Sequence, residues 1–325
     1  MKALDIVTIG HFSIDCIFLP QANVFKKALG GSPAYVSFSA RQLGARVGVV
    51  SKVGVDFPKK YINMLKHGGV DLFGLKKEKN SATTSFNLEY SANKRRLILR
   101  SLAPPIRLTD ISSDFNAESI HVAPIAGEFS SEIVVALRSR AKVLSLDPQG
   151  FLRRFDTKGK ASMKNFKADK IFENVDVFKS SLSEVRVIAG KSEKGLKATM
   201  KRLGDLGIRV VIVTLGREGA ALFFENRFCY IPSFPPKRLT DPTGAGDVFA
   251  GAFLAEYLRN ADALWCACVG SAAASFKAET FGPVLFCTKE AIYERAMHLF
   301  AKVHTGSDAQ CVIDAIGKGI KQKSD

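Results

Sequence analysis

No apolar run in this sequence approaches the roughly 18 residues of a membrane-spanning helix, so a helical membrane protein is not expected. Tryptophan occurs once and tyrosine six times. The 24 phenylalanines are read as core, lid and pocket lining, and stacking of aromatics on nucleic-acid bases is not indicated. The six cysteines (Cys16, Cys229, Cys266, Cys268, Cys287, Cys311) form no C-x-x-C pair. No histidines stand at ligand spacing beside them, which excludes the usual zinc and redox motifs and leaves buried free thiols as the expectation. The five histidines offer no metal cluster, and His11 and His121, near strand ends, are read as structural or substrate-lining. Acids are in deficit, 31 against 47 basic residues, a formal charge of +16. The bases are spread along the chain, densest at Arg153–Lys170 and in the tail GKGIKQKSD, and no helix-turn-helix, zinc-finger or RNA-recognition pattern accompanies them. Solvated surface and attraction of anionic ligands account for this charge, and nucleic acid is not the expected partner. The start, MKALDIVTIG, runs straight into a strand-like pattern without a secretory signal, so a cytoplasmic protein is expected.

What is present is alternation. The strand LDIVTIG leads to Asp15. A helix follows the pair Gly30–Gly31 and stops at Gly44; RVGVVSKVG is a strand, and PKKYINMLKHGGV an amphipathic helix. After an interruption the rhythm resumes with SIHVAPI, SSEIVVALRSR, KVLSLDPQG, VDVFKSS and RVVIVTLG. Helices are expected over Val248–Arg259, Leu264–Lys277 and, last, around Lys289–Lys302. Strand–helix alternation predicts an α/β fold, a doubly wound and mainly parallel sheet flanked by helices, as a single domain over 1–325. The interruption, TTSFNLEY–SANK–RRLILRS, alternates with period two and reads as an antiparallel hairpin. With a segment near Ile17–Leu19 it makes a small antiparallel β lid, contributed by about 15–30 and 72–101.

The chemistry concentrates in DPTGAGDVFAGAF, Asp241–Phe253. A helix beginning at Gly244–Gly246 presents amide N–H groups without intrahelical partners, and small residues leave them uncovered. The helix dipole adds positive potential there. Asp247 is thus a carboxylate beside a place built for negative charge. It can take a proton from an attacking hydroxyl while the turn of Gly244, Ala245 and Gly246 stabilises a phosphoryl group in transfer.

This stretch resembles the D-T-T-G-A-G-D signature of the ribokinase (PfkB) family of carbohydrate and nucleoside kinases, and the order of other motifs resembles that family over roughly Asp5 to Leu299. The resemblance implies an ATP-dependent kinase with Mg²⁺, a phosphotransferase acting on an alcohol group, with Asp247 as base. It assigns Asp15, Gly30 and Gly31 to the substrate, with Ser13 and Gln149 as further polar groups at strand ends. KVGVDFPKK resembles the family's G-x-D segment (Gly54, Asp56). VTLGREGA resembles its nucleotide-binding turn (Thr214, Gly216, Gly219), and SAAASFKAETFGP its adenine-side helix and loop. Two departures stand out. Pro242 replaces a threonine and removes an N–H. The family's N-x-x-E appears as Ser181–Glu184, where Glu184 can act on Mg²⁺ through water and Lys179 can stand in for the missing asparagine as a phosphate ligand. The resemblance also implies a monovalent cation, K⁺, for which Asp241 and Thr243 are the candidates. The lid is the candidate surface for a homodimer.

The expected acceptor is a small neutral sugar or polyol, of the kind of myo-inositol or a free sugar. A nucleoside kinase, the first alternative, needs an apolar wall for a base, with Phe12 and Phe86 as candidates. A phosphorylated acceptor needs a basic cluster, for which Lys94, Arg95 and Arg96 are available; Arg153 is a further arginine that could meet a phosphate. An alternative of another class is a non-catalytic nucleotide- or nucleic-acid-binding regulator.

Overall fold

Leu4, Ile6, Val7 and Ile9 are buried on both faces of strand β1 (Ala3–Ile9). Burial on both faces is what a parallel strand between two helical layers demands, and it explains why the run is near-continuously apolar. The computed structural model describes residues 3–19, 24–91, 94–112, 115–166, 169–190 and 195–319.

From β1 the chain leaves the main layer through β2 (Ser13–Leu19) and β3 (Val24–Gly30). It returns through α1 (Ser32–Gln42), β4 (Val47–Val53), α2 (Lys59–His67) and β5 (Asp71–Lys77). β6 (Ser85–Ser91) and β7 (Lys94–Ser101) leave it again, and β8 (Asn116–Val122), α3 (Ser131–Leu137) and β9 (Ala141–Leu146) rejoin it. Next come α4 (Gln149–Leu152), a short hairpin of β10 (Arg153–Phe155) and β11 (Ala161–Met163), α5 (Asp169–Phe172), β12 (Val177–Ser181), α6 (Leu182–Ala189), α7 (Leu196–Asp205) and β13 (Val210–Thr214). The chain closes with β14 (Ala220–Phe224), β15 (Arg227–Ile231), α8 (Ala245–Tyr257), α9 (Ala263–Ala278), α10 (Lys289–Phe300), β16 (His304–Thr305) and α11 (Gly306–Gly319).

Ten strands form one sheet in the order β16-β15-β14-β13-β12-β9-β8-β1-β4-β5. Pairing is parallel from β13 to β5 and antiparallel from β13 to β16. One core, under α3, α6, α7 and α11, gathers Val7, Ile120, Leu144, Phe178 and Val211; the other, under α1, α8, α9 and α10, gathers Ile6, Val177, Ile212 and Leu222. Strand β1 pairs with β4 on one side and β8 on the other, so the sheet grows in both directions from it. The loops leaving β1 and β8 therefore diverge, and a crevice opens at the carboxyl ends of the strands, where doubly wound sheets bind ligands.

The lid is a separate four-stranded sheet, β3-β2-β6-β7. It consists of two antiparallel pairs joined by a parallel pairing of β2 with β6. Ile17, Phe86 and Leu88 are buried beneath it with Ile125 and Ala126. One boundary expected from sequence is corrected. Residues 72–77 do not belong to the lid; they lie in β5, which pairs with β4 as the edge of the main sheet. Buried Val49 and Val53 lie beside partly buried Leu72 and Leu75 in one apolar cluster, which ties that segment to the main sheet. Several elements, among them the following, lie outside the expectations from sequence. The basic stretch after Gly150 folds as β10–β11, whose turn meets the lid where Leu99 N–H donates to Gly159 O (2.8 Å). Helix α11 follows the helix taken as the last, and docks Ala309 and Ile313 into the core. All six cysteines are free; Cys229, Cys266 and Cys268 are buried as expected, but Cys311 is exposed. Among the described residues no helix is long and apolar enough to cross a membrane.

Candidate active site

The strand ends line a cavity of about 1100 Å³ that runs from the lid to the start of α8. Two glycines shape its floor. Gly244 caps α8 in the left-handed region (φ 77°), and a Cβ there would meet the Tyr35 ring at 2.4 Å. Gly31 caps α1 with φ 87°, and its Cβ would meet His11 O at 2.2 Å. Only glycine tolerates such conformations at such close approach. The starts of α1 and α8 are therefore brought side by side.

That juxtaposition positions Asp247. Ser32 Oγ, in the first turn of α1, donates to Asp247 Oδ1 at 2.6 Å, and Gln149 Nε2 donates to the same oxygen at 3.2 Å. Both bonds fall on Oδ1; Oδ2 has no hydrogen-bond partner among the described residues. Beside Asp247, the amides of the first turn of α8 are too early in the helix for intrahelical acceptors. Ala245 N–H is already turned to Pro242 O (3.2 Å), which corrects the expectation that this amide belongs to the anion-binding set; Gly246 and Asp247 supply the first-turn donors.

Lys179 adds a full charge. Its side chain is nearly buried and pairs with buried Asp147, which follows β9. A Cβ on Gly246 would lie 3.0 Å from Lys179 Nζ, so the ammonium stands against the helix start. Burial alone would lower the Lys179 pKa, but the carboxylates of Asp147, Asp247 and Glu184 outweigh it and hold the group protonated, above the ordinary lysine value. Positive charge at a helix N-terminus, with a carboxylate beside it, is an arrangement for an anion that gains and loses charge.

Most of the other expected residues line the same cavity, while Gly30 and Asp241 lie behind its wall. Asp15 is buried (4% exposed), accepts from Ser13 Oγ at 2.6 Å, and lines the lid end. Gly30 runs directly beside its carboxylate, with space for no side chain between them. Gln149 lines the cavity, where its Nε2 also donates to Asp247. Glu184 closes the start of α6: its Oε2 accepts from Ser181 N–H at 2.7 Å, and the carboxylate lines the cavity. Thr214, Gly216 and Gly219 line the far end, Thr214 Oγ1 donating to Ser180 O at 3.3 Å. Thr243 and Asp241 lie below the turn, where Asp241 Oδ1 accepts from Thr243 N–H (2.9 Å) and Oγ1 (2.6 Å).

Some assignments move. Phe12 is fully buried and stacks on Phe57, so it is core and not a pocket wall; Phe86 does line the cavity. Gly54 and Asp56 do not line it: Asp56 Oδ1 accepts from Thr83 N–H and Oγ1, both at 2.7 Å, anchoring the approach to β6. Arg153 lines the cavity with one guanidinium nitrogen given to Ile125 O at 3.0 Å. The side chains of Lys94 and Arg95 lie outside the described residues, and Arg96 is exposed near Glu89. Two site residues were missed. Ser32 follows Gly30–Gly31, and that position at a helix start was its only signal. Asp147 follows β9, and nothing in the sequence pairs it with Lys179.

Comparison with known proteins agrees with this geometry. The profile of the pfkB family carbohydrate kinases matches residues 3–290. A cytidine kinase from Thermococcus kodakarensis is 28% identical over 79% of this chain and 89% of that protein. A nucleoside kinase from Methanothermobacter thermautotrophicus is 26% identical over 86% of this chain and 90% of its own. Among solved structures, a pyrophosphate-dependent kinase in the ribokinase family, complexed with a pyrophosphate analog and myo-inositol, superposes with a TM-score of 0.74 at 23% identity, over 89% of this chain and 99% of that one.

Proposed function

This chain belongs to the pfkB family of carbohydrate kinases and is a phosphotransferase with an alcohol group as acceptor; from that premise we propose that it transfers the γ-phosphoryl group of ATP to a hydroxyl of a neutral sugar or polyol. The observation that carries the reading is Asp247, held by Ser32 and Gln149 through one oxygen and leaving the other for a proton, at the start of α8.

In this reading the acceptor ring sits under the lid with its hydroxyls on Asp15 and the Gly31 backbone. Asp247 Oδ2 takes the proton from the attacking hydroxyl. The Gly246 and Asp247 amides and the Lys179 ammonium stabilise charge on the phosphoryl group in flight. The nucleotide lies toward Thr214, Gly216 and Gly219, with Phe234, Pro235 and Leu239 as its apolar wall. The donor set suits Mg²⁺. Glu184 at the start of α6 is a carboxylate able to act through water, and Mg²⁺ keeps most of its ligands as water and phosphate. Bound to the nucleotide, the ion would neutralise phosphate charge. The lid covers the reacting atoms and excludes water as a competing acceptor.

A second reading is favoured by a specific feature. Phe86, Leu88, Leu97 and Ile125 make an apolar wall on the lid side of the cavity, suited to a nucleobase whose ribose would occupy the sugar position. The first two relatives, a cytidine kinase and a nucleoside kinase, point the same way.

The test is ADP release with ATP and a panel of sugars, polyols, nucleosides and sugar phosphates. A neutral sugar or polyol as the best acceptor is the expected result. A nucleoside as best acceptor, lost selectively in Phe86→Ala, selects the second reading. A sugar phosphate as best acceptor overturns both.

A further inference from the structure

Asp241 and Thr243 are where the resemblance puts a monovalent cation. The structure puts a different positive charge there. Lys277, in the last turn of α9, is fully buried (0% exposed). Its Nζ donates to Asp241 O and to Thr280 O, each at 2.8 Å, and stands 3.6 Å from Asp241 Oδ2. That carboxylate oxygen is buried and accepts no hydrogen bond among the described residues. The Tyr35 ring, which also packs against Gly244, lies 5.8 Å away, within cation–π range.

Two backbone carbonyl oxygens and a carboxylate oxygen converging on one point are the oxygen set that strips water from a monovalent cation. Here an ammonium fills that point. A free ion would have to share the same oxygens with a like charge a few ångströms away, so the residues present do not fit an additional K⁺.

We propose that Lys277 is a covalently tethered substitute for the monovalent cation, and that phosphoryl transfer by this protein needs no K⁺. The ammonium offsets the buried Asp241 carboxylate, which would otherwise be costly to hold charged. Asp241 in turn receives Thr243 N–H and Oγ1, and the chain continues through Gly244 into the first turn of α8. Lys277 therefore acts on the anion-binding amides through the 241–244 turn, as a positioning residue. A diffusible ion must be recruited from solution and is lost when its concentration falls. A lysine anchored in α9 is always at the site, at the expense of fixing the geometry.

The test has two readouts, of which melting is independent of any substrate assignment. Wild type and Lys277→Ala are melted in KCl and in tetramethylammonium chloride at equal ionic strength. ATP turnover with the best acceptor is then followed across a KCl titration in the same backgrounds. The wild type is expected to melt at the same temperature and turn over within twofold in both salts. Lys277→Ala opens the oxygen cage, so its Tm should drop and then rise with KCl, as mass action requires of a new ligand. Its kcat should fall at least tenfold in tetramethylammonium and recover with K⁺. Recovery by a free ion is something a merely structural lysine would not produce. Stimulation of the wild type more than twofold by KCl overturns the proposal, as does a folded Lys277→Ala whose melting ignores K⁺. If Lys277→Ala does not fold in either salt, the wild-type comparison decides. If no acceptor supports turnover in any salt, the kinase reading has failed, while melting still decides the role of Lys277.

Discussion

Ser32 and Asp247 lie 215 positions apart in the chain, yet Ser32 Oγ donates to Asp247 Oδ1 at 2.6 Å. The bond joins the first turn of α1 to the first turn of α8 and holds one carboxylate oxygen while leaving the other clear. In the proposed reaction, a carboxylate oriented in this way would lose no rotational freedom as it takes the proton.

Replacing Asp247 by Asn keeps the shape and removes the proton acceptor. Turnover should fall by about 10²–10⁴-fold while ATP affinity stays nearly unchanged. Ser32→Ala should cost much less, on the order of tenfold in kcat, because it frees the carboxylate without removing it. Steady-state kinetics with equilibrium ATP binding would decide; an Asp247→Asn variant retaining more than about a tenth of wild-type activity removes the base assignment.

Asp15→Ala should raise the acceptor KM and leave the KM for ATP little changed. A buried charged hydrogen bond contributes about 1.5–3 kcal/mol, or roughly 10–150-fold in affinity. Should both KM values rise together, Asp15 is holding the β2–β3 pair in place and not the substrate.

The Lys179–Asp147 pair separates stability from catalysis. Lys179→Met strands a buried carboxylate and should destabilise the fold by about 3–5 kcal/mol. Adding Asp147→Asn removes the stranded charge and should restore most of that stability in urea unfolding. The double variant should remain about 10²-fold slow or worse, because the positive charge beside Gly246 is still missing. Recovery of both properties together would make the pair a packing device with no part in phosphoryl transfer.

Acid should weaken the fold before the ordinary carboxylates titrate. His121 is buried, with Nδ1 at 2.9 Å from Ser145 Oγ, and burial together with the Lys179 charge pulls its pKa down to about 3. The unfolded chain therefore binds a proton near pH 6.5 that the folded chain refuses until about pH 3. Stability is fully present above pH 6.5 and is lost as pH falls through that window, by about 1.5 kcal/mol between pH 6.5 and 5 for this one group. Burial likewise lowers the pKa of His11, which adds a loss of the same sign. Urea midpoints measured from pH 7 to 5 should slope downward toward acid, and His121→Asn should flatten that slope. An unchanged slope in the variant would place the proton uptake elsewhere.

The parallel sheet and the glycine turn were legible in sequence because each rests on local chemistry. Continuous apolar runs such as VVIVT need two helical layers, and GAG followed by an acid puts a carboxylate beside unpaired amides at a helix start. Asp15 in β2, Gly31 just after β3 and Thr214 at the end of β13 all line the same cavity. What tertiary structure alone decided concerns pairs that meet across long stretches of chain. Residues 72–77 could be edge strand or lid until β4 claimed them. Phe12 and Phe86 are equally apolar in sequence, but packing sends one to the core and the other to the cavity. Ser32 on Asp247, Lys179 on Asp147 and Lys277 on Asp241 are contacts of 215, 32 and 36 positions. No periodicity or local propensity encodes such separations. A lysine in an otherwise apolar helix reads as a solvated charge until the fold closes α9 over the 241–244 turn and leaves its ammonium among buried oxygens.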